Sequence, residues 1–361
     1  MELILYIFIA ILALSALVFF HELGHYSAAK FFGVKVERFS IGFGKPFYRK
    51  NWFNTEWVFA PILLGGYVKM KGQDDTDPLK RSDDPDSYNS KKPWQRIIIL
   101  LAGPFANIVL AFFIYLIIAI SGAPVSTASD YIAPIVGEVN PDTPAYKSGL
   151  KAKDKIIAVG EHKIKYWYEL GAAIQNTPAP ITLKVKRDDR VLTLKLNPIV
   201  KDMKNEFNET IKRKIIGIRP SIKRGDRVEF NIIDAFKYAY NETVKSALLI
   251  TKGLQKVTTG EVDSKNVCGA ITIFDILIKF AKAGFLYLLF IMALISVNLG
   301  ILNLLPIPAL DGGHIMFNLY EMITKKAPSE EVLYRLTIVG WILLMSLMFF
   351  GLYNDVNRIW G

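Results

Sequence analysis

Two histidines flank a glutamate in "VFFHELGHYSAAKFF", residues 18–32: His21, Glu22 and His25. On a helix, side chains four residues apart lie one above the other on one face, so both imidazoles can grip a single Zn2+. Glu22 stands beside them, suited to act as general base on the attacking water rather than as a ligand. A five-residue motif also arises by chance. Here that reading is the weaker one, because ionisable groups at the end of an apolar run are costly and are usually functional.

A catalytic zinc takes three protein ligands and keeps one position open. Glu37 lies beyond the helix stop expected at Gly33, and His162 lies in a segment expected on the other side of a membrane. "NLLPIPALDGGHI" offers Asp311 and His314. Asp311 suits a carboxylate ligand, and Gly312-Gly313 allow close backbone approach. The lesser reading makes Asp311 an N-cap. His314 either orients the site or is a plain helix-start residue.

The elements that must position these groups read as a polytopic α-helical membrane protein. The chain has 361 residues, 52% hydrophobic, with a mean hydropathy of +0.28. That is too apolar for an ordinary soluble protein. A charge of +11 then reflects positive loops and anionic lipid rather than nucleic acid. The single cysteine, Cys268, excludes an intrachain disulfide and is expected to be a packed free thiol. The run from Leu3 has no basic residue before it, which favours a retained span over a signal peptide.

Seven stretches follow. Residues 1–33 are the first transmembrane helix. Residues 34–96 are a cytoplasmic loop containing a β-hairpin that bends at Gly65-Gly66 and, from residue 74, a solvated segment. Residues 97–120 are the second span, where Asn107 is either a polar contact to the helix that carries the histidines or, the weightier reading, a structural hydrogen bond. Residues 121–200 are a compact α+β domain with hairpins turning at Gly160-Glu161 and Asp188-Asp189. Residues 201–282 are a basic connector whose Ile232 to Gly253 segment is an amphipathic helix on the membrane surface. Residues 283–335 hold the third span and a cytoplasmic loop. Residues 336–361 hold the fourth span and the tail. Lys and Arg in the short loops predict both termini and the inserted domain outside, and the two short loops in the cytoplasm.

HELGH in a first span with LNLLPIPALDGGH in a later one resembles the site-2 protease family of intramembrane zinc metalloproteases. The insert resembles a single PDZ domain, as in the bacterial branch that carries such domains, although better-known members have two. The likeness covers nearly the whole chain. It implies a zinc-dependent endopeptidase of the bacterial inner membrane. Its substrates would be single-span membrane proteins, namely an anti-sigma factor, remnant signal peptides, or both. It implies His21, His25 and Asp311 as zinc ligands and Glu22 as general base. Asn303, Pro306 and Pro308 would help hold an unwound substrate. Gly65 and Gly66 would lie in a re-entrant β-loop that takes substrate by strand addition, and "GFGKP" would be a loop near the same face. The PDZ-like domain would bind a peptide or limit access. A non-enzymatic scaffold is the alternative, disfavoured by the intact motifs. A protease with an external catalytic domain is disfavoured because the insert holds only His162. Where the family often has Ser-Gly-Pro, this chain has Cys268-Gly269-Ala270.

Overall fold

Residues 2–73, 82–205, 209–222, 226–261 and 268–360 are described in a computed structural model. The first apolar run and the HExxH motif form one helix, α1 (Glu2–Phe31). Gly33 ends it as expected. Its φ is +68°, Val34 N–H reaches back to Ala29 O, and Gly33 N–H to Lys30 O, which is the paired closure of a glycine C-terminus.

The chain then builds a four-stranded sheet rather than a lone hairpin. Its strands are β1 (Val36–Phe43), β2 (Tyr48–Trp52), β3 (Thr55–Phe59) and β4 (Ile62–Met70), in the order β2-β3-β1-β4. β3 and β4 are not partners. Each pairs with β1, β3 in parallel and β4 antiparallel. Gly65-Gly66 makes no bend: both residues lie within β4, with Gly66 opposite Ile41. The tight turn is instead at Phe53-Asn54, both with positive φ, which matches the twist of the β2–β3 hairpin. Phe39 of β1 is fully buried. It stacks on Trp57 at 4.4 Å and meets Tyr26 and Phe19 of α1 edge-on. The sheet is therefore seated on the helix that carries the histidines. Residues 74–81 of the expected solvated segment lie outside the described residues. The part that follows is packed, with Ser87 and Tyr88 buried and Lys71 paired to both Asp84 and Asp86.

α2 (Pro93–Ile120) contains Pro104. A unit over Ala119–Asp234 follows, while Met1–Ile118 and Ala235–Gly361 form the other unit. The inserted unit contains β5 (Ala123–Pro124), β6 (Val136–Val139), α3 (Pro144–Lys147), β7 (Lys155–Val159), β8 (His162–Lys163), α4 (Trp167–Asn176), β9 (Ile181–Arg187) and β10 (Arg190–Leu196). The hairpins turn at Gly160-Glu161 and Asp188-Asp189 as the sequence predicts. β11 (Ile199–Lys204), β12 (Thr210–Ile215), β13 (Ile218–Pro220) and β14 (Arg227–Val228) belong to the same unit. β13 returns to pair with β6, and β14 with β5. The described strands β11 to β14 are therefore not connector but part of this unit.

The remaining helices are α5 (Ile232–Thr258), α6 (Ala270–Ala283), α7 (Phe285–Asn303), α8 (Asp311–Thr324) and α9 (Glu330–Trp360). α6 was not expected, and α8 was foreseen only in the lesser reading that starts a helix near Asp311. Asp355 of α9 accepts from the N–H groups of Gly269 and Thr272 at 2.9 and 3.1 Å, capping the start of α6. Cys268 is exposed rather than packed. Four described helices are long and apolar enough to cross a membrane: α1, α2, α7, and α9 over Glu331–Arg358.

In the inserted unit the Asp154 side chain is fully buried and paired to Arg187 Nε at 2.6 Å. Arg187 Nη2 adds a second bond at 2.6 Å and Lys151 N–H a third at 2.8 Å. Burial alone would raise the Asp154 pKa. The Arg187 hydrogen bonds and the Lys151 N–H outweigh it and hold the carboxyl below its ordinary range. A depressed folded pKa gives stability that is complete above the unfolded value, about 3.9, and is lost as pH falls through the folded one. Asp154→Asn should cost on the order of 3 kcal/mol at neutral pH, read as lost hydrogen-exchange protection in β7 and β9 of the full chain. In the wild type, protection there should decline on acidification below about pH 4. In the variant it should be low throughout.

Candidate metal centre

α1 turns His21 and His25 toward α2, and both rings are buried. His25 Nδ1–H donates to Ile99 O at 2.8 Å, which leaves Nε2 with its lone pair exposed to the interior. The two Nε2 atoms are 3.2 Å apart. The fit at this level requires glycine. A Cβ on Gly103 would stand 2.2 Å from His25 Nε2, and one on Gly24 would stand 2.2 Å from Ala102 O.

The third group arrives from about 290 residues away in sequence. After α7, Leu304 to Leu310 make a tight turn around Pro306 and Pro308, held by Ile307 N–H to Leu305 O and Leu310 N–H to Ile307 O. α8 then begins at Asp311, with Leu310 in the cap position. Asp311 is therefore not an N-cap. Its Oδ2 lies 3.3 Å from His21 Nε2 and 3.4 Å from His25 Nε2. Gly312 and Gly313 press onto this turn: a Cβ on either would come within 2.3 Å of Leu305 O or Ile307 O. Gly340 of α9 packs on the same segment, its Cβ position 2.8 Å from Ala309 N. Arg96 at the start of α2 pairs with Glu321 of α8 at 2.6 Å, which ties the far end of that helix to α2.

The three ligand atoms fit a metal ion. Tetrahedral coordination with bonds of about 2.0–2.1 Å separates neighbouring ligand atoms by about 3.3–3.4 Å. Here the separations are 3.2, 3.3 and 3.4 Å. A buried carboxylate oxygen this close to two imidazole nitrogens needs positive charge among them, from a metal ion or a proton, and burial makes its absence costly. Among the described residues, these three are the group of metal-ligating side chains that converge in this way.

A cavity of about 610 Å³ opens on this group. Glu22, Gly66 to Met70 of β4, Asn303, Leu310, His314, Thr337 and Trp341 line it with the three ligands. Gly66 lets β4 lie flat beside the motif: a Cβ there would sit 2.6 Å from Ser40 O and 3.7 Å from Glu22 Cγ. Gly65 faces Phe43 instead. Of the expected substrate residues, Asn303 and Gly66 reach the cavity, while Pro306 and Pro308 shape the turn behind Asp311. Within "GFGKP", Gly42 makes a bulge in β1 at positive φ, and Phe43 lines the cavity. Glu37 pairs with Lys69 at 3.6 Å, and His162 lies in the other unit. Sequence reasoning gave α2 close helix packing and Asn107 as a possible contact to the histidine helix, but missed the acceptor that Ile99 offers His25. The signal for this face of α2 was present as spacing: Ile99, Gly103 and Asn107 recur every four residues, the interval that separates His21 from His25.

The model of peptidase family M50 matches residues 9–347. The chain belongs to peptidase family M50. This is the site-2 protease family that the motifs resemble. Similar curated proteins agree with it. A protein of Campylobacter jejuni subsp. jejuni serotype O:2, named "Putative zinc metalloprotease", is 42% identical over 97% of this chain and 93% of its own length. One of Helicobacter pylori strain J99 with the same name is 36% identical over 97% and 99%. The regulator of sigma-E protease RseP of Salmonella typhimurium is 30% identical over 97% and 98%.

Within this M50 chain, packing at Gly103 makes a sharp prediction. Gly103→Ala should displace the His25 ring and weaken metal binding at least tenfold, measured by zinc titration of the purified protein. Gly171→Ala, in helix α4 with open space at its Cβ position, should leave metal binding unchanged and stabilise its helix by about 0.5–1 kcal/mol.

Proposed function

We propose that this chain is a zinc-dependent intramembrane endopeptidase of the bacterial inner membrane that cuts single-span membrane proteins. The observation that carries the reading is the convergence of His21 Nε2, His25 Nε2 and Asp311 Oδ2 at 3.2, 3.3 and 3.4 Å from one another, with Glu22 lining the same cavity. His21, His25 and Asp311 hold the zinc. When bound, zinc polarises the scissile carbonyl and acidifies the attacking water. Glu22 takes the proton from that water and delivers it to the leaving amine.

Substrate reaches the site extended. A transmembrane helix satisfies its peptide groups internally, so cleavage requires unwinding and replacement partners. β4 supports this role. It is the sheet's outer strand, and its Gly66 to Met70 stretch lines the cavity, so an unwound segment can add to it by main-chain hydrogen bonding. Asn303 adds a polar group to the cavity lining, and the Pro306–Pro308 turn keeps Asp311 in place. Tyr67 of β4 stacks on Phe43, and both side chains line the cavity.

In this reading the unit Ala119–Asp234 is a PDZ-like domain outside the membrane, on the same side as both termini. It binds a peptide segment of the substrate or restricts entry. An anti-sigma factor and remnant signal peptides are the two substrate types that suit a single-span cleavage site of this kind.

Glu22→Gln tests the assignment. With a model single-span substrate in detergent or liposomes, cleavage should fall by about 10²–10⁴-fold, while zinc content stays at one equivalent. Asp311→Ala should lose both cleavage and zinc. Cleavage retained by Glu22→Gln would sink the mechanism.

A further inference from the structure

One fully buried polar side chain beside the metal ligands has no part in the mechanism above. Asn107 of α2 is 0% exposed. Its side-chain Nδ2 lies 3.1 Å from His21 Nδ1, and its Oδ1 is buried with no hydrogen-bond partner. Its backbone is firmly held, because Ser296 Oγ of α7 donates to Asn107 O at 2.8 Å. The amide therefore stands at a fixed point between α7 and the first histidine of the motif.

The two ends of an amide have nearly the same shape, and chemistry decides which one faces a neighbour. With Nδ2–H donating to His21 Nδ1, the ring proton of neutral His21 must sit on Nε2. It then points at His25 Nε2 and Asp311 Oδ2, and the ring has no lone pair for a metal. Either orientation leaves one end of the amide at the buried position that has no partner, so the ring nitrogen decides between them. Rotating the amide by half a turn removes the conflict at the ring. Oδ1 accepts from His21 Nδ1–H, and the Nε2 lone pair turns to the point where His25 Nε2 and Asp311 Oδ2 already converge.

His25 supplies the precedent within the same site. Its Nδ1–H is taken by Ile99 O, eight residues before Asn107 on the same face of α2. The arrangement is parallel: α2 offers one acceptor to each histidine, a backbone carbonyl at one level and a side-chain amide two turns on. We infer that Asn107 is the positioning residue of His21, its amide oxygen holding the ring in the only neutral tautomer that can bind a metal through Nε2. The inference rests on the reading of His21, His25 and Asp311 as a metal centre.

The test uses the full-length protein in detergent, stripped of metal and titrated with Zn2+, then with Co2+, whose visible absorption reports the ligand set. Asn107→Leu removes the acceptor at similar volume. Asn107→Asp keeps acceptors and removes the donor. Asn107→Leu should bind Zn2+ about 10–100-fold more weakly and change the Co2+ spectrum. Asn107→Asp should stay within a few-fold of wild type with the wild-type spectrum. Wild-type affinity and spectrum in Asn107→Leu, or weak binding in a folded Asn107→Asp, would overturn the inference. If Asn107→Leu does not fold, Asn107→Asp decides alone, because a residue needed as a donor cannot be replaced by it. His21→Ala separates the two levels of the argument. If wild type takes up no stoichiometric zinc, or His21→Ala takes up as much, the metal centre itself has failed. If wild type binds and His21→Ala does not, the Asn107 series bears on Asn107 alone.

Discussion

The close contact of α1 with α2 is the constraint on which the site depends. Gly24 meets the Ala102 carbonyl, and His25 fills the space that a side chain at Gly103 would take. Small residues at such a crossing let two apolar helices approach without a hydrophobic drive between them, by packing and hydrogen bonding. The approach aims both histidine rings the same way. It also puts polar groups of α2 within reach of the ring nitrogens that face away from the metal position. α7 continues the pattern on the other side of α2, with Gly300 close to Pro104 O and Ser296 bonded to Asn107. One helix thus joins the element bearing the motif to the element that leads to Asp311.

The remaining parts are arranged around that pair of helices. The sheet docks on α1 through Phe39 and brings the outer strand β4 alongside Glu22. The Pro306–Pro308 turn reverses the chain after α7 and starts α8 at the residue whose carboxylate completes the triangle. α9 leans on the same turn through Gly340 and contributes Thr337 and Trp341 to the cavity wall. The result is a cavity of about 610 Å³ with a mixed polar and apolar lining that opens on the buried ligands, beside a helix long and apolar enough to cross a membrane.

The chemistry was more legible in the sequence than the architecture around it. His21, Glu22 and His25 stand out by residue type and spacing, because ionisable groups are conspicuous in apolar surroundings, and Asp311 was singled out by its expected membrane side and by the resemblance; the structure brings the two imidazoles and this carboxylate within 3.4 Å. The turns at Gly160-Glu161 and Asp188-Asp189 and the stop at Gly33 are local, and local signals carried them. The order β2-β3-β1-β4 was hidden because β1 pairs with β3 in parallel and with β4 across intervening chain. Nothing in the composition of Gly65-Gly66 distinguishes a bend from a flat strand pressed on Glu22. The return of β13 to β6 is likewise non-local. The Ile99 carbonyl cannot be seen in any sequence, since every residue has one. Asn107 was readable as a possible contact to the histidine helix, but choosing that reading over a plain structural hydrogen bond needed the rotation of α2 about its own axis, which only tertiary packing fixes.

The central claim is that two histidines from the first span and one aspartate from a distant segment share a single zinc ion. X-ray absorption at the zinc edge of the purified full-length protein tests it most directly. The account predicts two imidazole nitrogens at about 2.0–2.1 Å and oxygen ligands at about 2.0–2.2 Å, with no sulfur. It also predicts loss of the bound ion in Asp311→Ala. A sulfur neighbour, a single imidazole, or an unchanged zinc spectrum in Asp311→Ala would contradict it.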